Sequence, residues 1–248
     1  MSESKSSNSG LNGERTPRRS RASEAFFGRR HGKTLRSYQV DLLDDQLPPL
    51  LVNPTENFPG LSSLFPGDDG KPFNLEIGFG GGEHLNSERL RLRDENFLGV
   101  EPFVNGMAKM LAHFDEAPSD NLRLFNDDAT LVLDWLPQGC VSRIDLLYPD
   151  PWPKKKHWKR RFVNQANLTR FARVLKPGGL FRFASDIDSY VNWTLDHIHQ
   201  SGQFRWLAHQ SSDWHEEWPH WVRTRYAAKA IREGRRPGYF QFERSPAI

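Results

Sequence analysis

Residues Tyr148-Pro149-Asp150-Pro151-Trp152-Pro153-Lys154-Lys155-Lys156 combine one acid, one flat aromatic and a run of cations. Proline fixes its own φ and restricts the residue before it, so the backbone around Asp150 is stiff on both sides. That pre-organises a carboxylate at the end of a strand candidate, Ser142–Asp150. Trp152 offers a large flat face. Lys154, Lys155, Lys156, Lys159, Arg160 and Arg161 supply positive charge for phosphates. The plainer use of such a segment is a proline-rich loop with a solvated basic face.

A second group of residues could hold a small ligand. Glu76-Ile77-Gly78-Phe79-Gly80-Gly81-Gly82 carries glycines where a strand candidate turns into a helix candidate. Without Cβ atoms at Gly78 and Gly80, backbone and ligand can approach closely. Glu76 and Glu83 make the surroundings acidic, which disfavours a diphosphate and suits a ligand with an amino group and a sulfonium cation. Glu101, 21 residues beyond Gly80, can accept both hydroxyls of a ribose; its plainer role is a charge at a helix N-terminus. Asp127 and Asp128 can reach an adenine amino group or simply cap the next helix.

These residues need a scaffold, and the sequence alternates strands and helices from Lys71 onward. Strand candidates are 73–79, 96–101, 121–127, 142–150, 180–186, 204–210 and 238–244. Helical spacing follows Glu83, begins again at Pro102 and Ala129, spans Phe162–Leu175 up to the stop at Lys176-Pro177-Gly178-Gly179, and returns in 190–200. Such βαβ alternation predicts an α/β fold with a doubly wound, mostly parallel, seven-stranded sheet. In such sheets ligands sit beyond the carboxyl ends of the strands, and Gly78–Gly82, Glu101, Asp128, Asp150 and Asp186 all follow strand candidates.

The chain divides into three parts by composition. Residues 1–23, rich in Ser, Arg, Asn and Gly, read as a disordered basic arm. Residues 24–70 mix aromatic, basic and amphipathic leucine-rich stretches and read as an extension packed on the core, presenting Arg29, Arg30, Lys33 and Arg36. Residues 71–248 hold the alternating strands and helices and read as the main domain. Net charge is only +3, yet Lys and Arg cluster in 1–36, 154–161 and 223–236, as a polyanion track would require. A single cysteine, Cys140, allows no internal disulfide, no metal-ligand spacing is present, and no apolar run is long enough for a membrane span. The N-terminus lacks an apolar signal core, so the expected compartment is the cytoplasm. Nothing in the residues selects between a monomer and a homodimer.

With LEIGFGGG, FLGVE, DDA, PDPWPKKKHWKRRFV, LKPGG, ASD and TRY…FER in this order, the chain resembles the bacterial tRNA (guanine-N7-)-methyltransferases from about Phe26 to Arg244. That resemblance implies a Rossmann-like methyltransferase fold and S-adenosylmethionine as cofactor. The implied reaction is methylation of N7 of guanine 46 in the tRNA variable loop. It further implies cofactor contacts from Glu76, Glu101, Asp128 and Asp150. Lys154, Asp186, Thr224, Arg225, Tyr226 and Ala227 then face the nucleoside, and the basic run Lys155–Arg161 touches tRNA. One departure stands out: the family usually has glutamate where this chain has Ala227.

Methylation of guanine N7 uses an in-plane lone pair that carries no proton, so positioning and electrostatics suffice, and Asp150 is the expected positioning carboxylate. Rival readings are a nicotinamide-dependent oxidoreductase, a non-catalytic tRNA-binding protein with a decayed site, and a methyltransferase acting on another RNA atom. The first explains the glycine turn but not the proline-flanked Asp150.

Overall fold

The computed structural model describes residues 27–246; the arm expected in residues 1–23 lies outside them. Short helices α1 (Ser37–Asp45), α2 (Leu47–Leu50) and α3 (Leu61–Leu64) precede the sheet. The alternating core then runs β1 (Phe73–Ile77), α4 (Glu83–Arg91), β2 (Asn96–Val100), α5 (Val104–Glu116), β3 (Leu122–Phe125), α6 (Ala129–Trp135) and β4 (Val141–Leu147). A 3-10 helix, Lys155–Arg160, interrupts it before α7 (Gln165–Val174), β5 (Leu175–Ser185), α8 (Asp188–Ser201) and β6 (Phe204–Trp206). The last elements are α9 (Ser212–His215), α10 (Arg225–Arg232) and β7 (Gly238–Arg244).

The strand order is β3-β2-β1-β4-β5-β7-β6. Pairings from β3 through β5 are parallel, and β7 runs antiparallel to both β5 and β6. The doubly wound, mostly parallel seven-stranded sheet expected from the sequence is therefore present. Order reverses at β1, which places the switch point between β1 and β4, where such sheets bind ligands. Among the described residues no helix is long and apolar enough to cross a membrane.

Alternation along the strands divides the core. Phe73, Leu75, Ile77, Ile144, Leu146, Phe181 and Phe183 point to one face, where α6, α7 and α8 pack on them. The opposite face has a compact apolar cluster under α2, α4 and α5, built from Leu85, Phe97, Met107, Met110, Leu122 and Leu124. Between β1 and β5 that second face departs from the usual apolar strands of a parallel sheet. Glu76, Asp145 and Arg182 stand side by side there, because Glu76 pairs in register with Asp145 and Asp145 with Arg182.

Element boundaries shift from the sequence reading in places with clear causes. Helix α5 starts at Val104 and not at Pro102, because Glu101 accepts the Phe103 amide and holds that turn outside the helix. Helix α7 starts at Gln165, where Asn164 caps the Asn167 amide. Helix α7 ends at Val174, so Lys176–Gly179 falls inside β5, which begins at Leu175; its pairing with β4 jumps from Val141–Leu175 to Arg143–Leu180, so this segment bulges.

Candidate active site

A cleft of about 880 Å³ opens beyond the carboxyl ends of β1, β2 and β4. Gly78, Glu101, Asp128, Tyr148 and Asp150 form its inner wall. Phe27–Arg29, Trp152, Lys159, Arg160 and Tyr226 also line it.

The glycine turn owes its shape to left-handed backbone at Gly78, Gly80 and Gly82, with φ of 72°, 62° and 81°. Tyr226 and Arg225 lie against it, so a Cβ on Gly80 would sit 3.1 Å from the Tyr226 ring. From behind, Gly106 of α5 approaches so closely that a Cβ there would run into the Gly80 carbonyl oxygen. Sequence reading passed over Gly106, which sits inside a helix where glycine has no local signature.

Glu101 is buried and divides its oxygens. Oε2 accepts from the Gly80 amide at 2.7 Å, and Oε1 accepts from the Phe103 amide at 2.9 Å. Burial pushes its pKa up to about 7, against the lowering effect of those amides and of Arg225, with Asp150 adding to the rise. The helix-terminal role and the cleft-facing role therefore coexist in this residue. The Gly80 amide, a donor that a pyrophosphate would need, is already taken by a carboxylate.

Asp128 is the N-cap of α6: Oδ1 accepts from the Thr130 amide and hydroxyl, each at 2.9 Å. It also lines the cleft. Asp127 accepts from Arg30 at 2.5 Å, which ties the N-terminal strap to the sheet. The Val104 amide donates to the Arg30 carbonyl, and Asn105 exchanges hydrogen bonds with Gly32 and Lys33.

Asp150 lies between two strained aromatics. Tyr148 and Trp152 adopt φ of 50° and 44°, a region that bulky residues rarely occupy. The tilted turn they enforce leaves Asp150 at the cleft wall, reachable by solvent but flanked by protein, and burial raises its pKa. The Tyr148 hydroxyl is buried beside Tyr239, and burial pushes its pKa upward. The Arg160 guanidinium lies over both the Phe27 ring and the Trp152 ring, at 5.0 and 4.9 Å, so strap and proline segment meet above the cleft.

The remaining residues separate by location. Lys154, Lys155, Lys156 and Lys159 are exposed. Arg161 corrects the expectation of a tRNA contact. It is 1% exposed, donates to the Pro151 carbonyl, the Ser189 carbonyl and the Ser189 hydroxyl, and lies over the rings of Trp158, Tyr190 and Trp193. An arginine packed this way holds the basic segment onto the domain and has no face for phosphate. Asp186 is engaged by Arg235 at 2.5 Å. Thr224 and Ala227 are buried and lie outside the cleft wall; Thr224 accepts from the Ala227 amide as the cap of α10. Of the four residues expected there from 224 to 227, the structure brings only Tyr226 onto the wall, with Arg225 beside it.

Glu76 is also buried, immediately before the cleft-lining Ile77 and Gly78, and its Oε2 lies 2.7 Å from His84 Nδ1. His84 escaped the sequence reading, since a lone histidine on a helix carries no signal. Glu76, His84 and Asp145 approach one another as metal ligands would. Arg182 already serves that cluster as its cation, with Nε 2.5 Å from Asp145 Oδ1 and Nη2 3.3 Å from His84 Nε2.

A family model described as "Putative methyltransferase" matches residues 70–237. The tRNA (guanine-N(7)-)-methyltransferase of Agrobacterium fabrum is 57% identical over 229 residues, covering 92% of this chain and 98% of its own. That of Brucella anthropi is 58% identical over 220 residues, covering 88% and 94%. Among solved structures, the 16S rRNA methyltransferase KamB aligns over 75% of this chain and 91% of its own, at 16% identity and a TM-score of 0.49. The chain belongs to the tRNA (guanine-N(7)-)-methyltransferase family.

Proposed function

We propose that the protein transfers a methyl group from S-adenosylmethionine to N7 of guanine 46 in the variable loop of tRNA, in the cytoplasm. The observation that carries this reading is the position of Asp150. It stands where the glycine-turn side of the cleft meets the lysine-rich segment that follows Trp152.

The cleft suits this cofactor. Glu101 and Asp128 keep acceptor capacity for hydroxyl and amino groups, and the acidic wall suits a cationic ligand over a diphosphate. When bound, S-adenosylmethionine supplies a methyl group on a positively charged sulfur. The chain's own part is to hold and screen. The Gly78–Gly82 turn lets the backbone approach, and Glu101 takes the ribose. Asp150 accepts from the N1–H and amino group of guanine, which aligns N7 and offsets the positive charge that the base acquires. No group of the chain has to remove a proton, because N7 has none. Tyr226 and the strap Phe27–Arg29 close the mouth against water. Lys154 lies next to the nucleoside, and Lys155, Lys156, Lys159 and Arg160 hold the tRNA backbone. Residues 24–70 serve as an extension on a methyltransferase domain spanning 71–248.

Ala227, the departure from the family pattern, gives the decayed-site alternative no support, because it lies buried outside the cleft wall. A calorimetric comparison of S-adenosylhomocysteine with NAD, followed by label transfer from S-adenosylmethionine to a tRNA transcript, tests the reading. Binding of the first ligand together with label in tRNA is expected. Preference for NAD, or an unlabelled transcript, would refute it.

A further inference from the structure

Glu76 and His84 stand at the two ends of the glycine turn, and one hydrogen bond joins them. Glu76 is in the last turn-facing part of β1, and His84 is the second residue of α4. Their contact, His84 Nδ1 to Glu76 Oε2 at 2.7 Å, joins the two flanks of the turn. Both side chains are buried, at 5% and 3% exposure.

The donor pattern fixes the ring's state. On the far side, His84 Nε2 lies 3.3 Å from Arg182 Nη2, and a guanidinium can only donate. Nε2 must therefore accept, which puts the ring's proton on Nδ1, pointed at Glu76. Arg182 is itself held by Asp145 and lies near Glu88, with Arg143 bridging Glu88 and Asp145 and Arg91 on Glu88. The carboxylates of Glu88 and Asp145 are thus each paired with guanidinium groups, those of Arg143 and Arg182 with the part-exposed Arg91 added on Glu88. Burial alone would raise the Asp145 pKa, but Arg143 and Arg182 outweigh it and hold the carboxyl far below its ordinary value. The Trp221 ring covers His84 at 5.1 Å, and the Trp218 ring covers Arg182 at 4.6 Å. The free end of this buried network is Glu76 Oε1, which has no hydrogen-bond partner among the described residues.

We propose that His84 is a positioning residue for the cofactor: by clamping Oε2 of Glu76 across the glycine turn, it presents Oε1 to the cofactor's ammonium group and fixes the turn's width. This rests on the cleft being an S-adenosylmethionine site. His84 touches neither cofactor nor tRNA, so its effect should fall on cofactor affinity alone.

The pair His84→Asn and His84→Gln tests it on the full chain. Asparagine places its amide nitrogen where Nδ1 stood and keeps a donor for Glu76; glutamine places its amide where Nε2 stood and loses that donor. S-adenosylhomocysteine affinity is read by calorimetry, and kcat and both KM values by tRNA methylation. For glutamine, KM and Kd for the cofactor are expected to rise about tenfold, with kcat at saturating cofactor and KM for tRNA unchanged; asparagine is expected to stay within about threefold of the native chain. Equal affinities in the two variants, or a loss confined to kcat or to tRNA, would overturn the role of His84. So would parallel losses of thermal stability and of every kinetic constant in both, the pattern of a purely structural residue. If the native chain itself fails to bind S-adenosylhomocysteine, the cofactor reading falls and not the clamp alone.

Discussion

The two walls of the cleft are built by opposite means. On the glycine side, the geometry is set mostly by buried groups held from within the protein: Glu101 on two amides, Glu76 through one oxygen on His84, and Gly106 against Gly80. On the Tyr148–Arg160 side, the chain is bent through two strained aromatics, and most of its charges face solvent. A small cationic ligand needs a preorganised and poorly hydrated wall. A flexible polyanion needs accessible charge on a stiff support. Arg161 shows where one wall supports the other, since it is the single cation of the run Lys154–Arg161 that turns inward to anchor the loop.

The strongest way to break this division is Asp150→Ala. It should lower turnover roughly 10²–10³-fold while tRNA affinity in filter binding stays near native. Retained turnover would remove Asp150 from the reacting geometry. Next in size, Arg161→Ala should lower Tm by roughly 5–10 °C, because it removes three hydrogen bonds and a guanidinium packed among aromatic rings. The salt slope of tRNA binding should be the same before and after unless the loop detaches. A thermally neutral Arg161→Ala with a reduced slope would return Arg161 to the tRNA surface.

Gly106→Ala adds one carbon where the Gly80 carbonyl lies, an overpacking that costs about 1–3 kcal/mol. Its effect should appear as a roughly 10–100-fold loss of cofactor affinity with little change in tRNA binding. Replacing Lys154, Lys155 and Lys156 together by alanine should do the reverse, cutting the log–log salt slope of tRNA affinity by about 2–3 and leaving S-adenosylhomocysteine binding intact.

The smallest effect concerns pH. Glu101 is raised by burial to about 7, above its ordinary 4.5, so its contribution to stability is complete below about 4.5 and is lost as pH rises through about 7. Only the ionised form can accept from both ribose hydroxyls. Cofactor affinity should therefore rise about tenfold between pH 6 and 8, whereas the ligand-free protein loses this contribution to stability between about pH 4.5 and 7. A flat affinity profile in calorimetry across that range would remove ribose binding from Glu101.

Sequence made the second wall easier to read than the first. Asp150, Trp152 and the lysines are contiguous, and proline stiffening is a local property, so residue order alone conveys that they lie together at the cleft edge. The strand-end placement of Gly78, Glu101 and Asp128 was legible for a related reason, since alternation of elements fixes where strands end. The face that joins Glu76, Asp145 and Arg182 was not legible. Those residues meet through register across three strands whose pairing depends on the whole sheet. The inward turn of Arg161 was hidden by its neighbours, because five of the other residues in 154–161 are cations and only packing against Trp158, Tyr190 and Trp193 sets it apart. Burial of Thr224 and Ala227 follows from the cap of α10, a detail that helical spacing does not convey.

The most direct measurement is site mapping of methylation. An unmodified tRNA transcript incubated with the full chain and labelled S-adenosylmethionine should carry N7-methylguanosine at position 46, and a transcript with adenine at 46 should take up no label. Label at another nucleotide or another atom, or undiminished labelling of the adenine transcript, would contradict the proposed reaction.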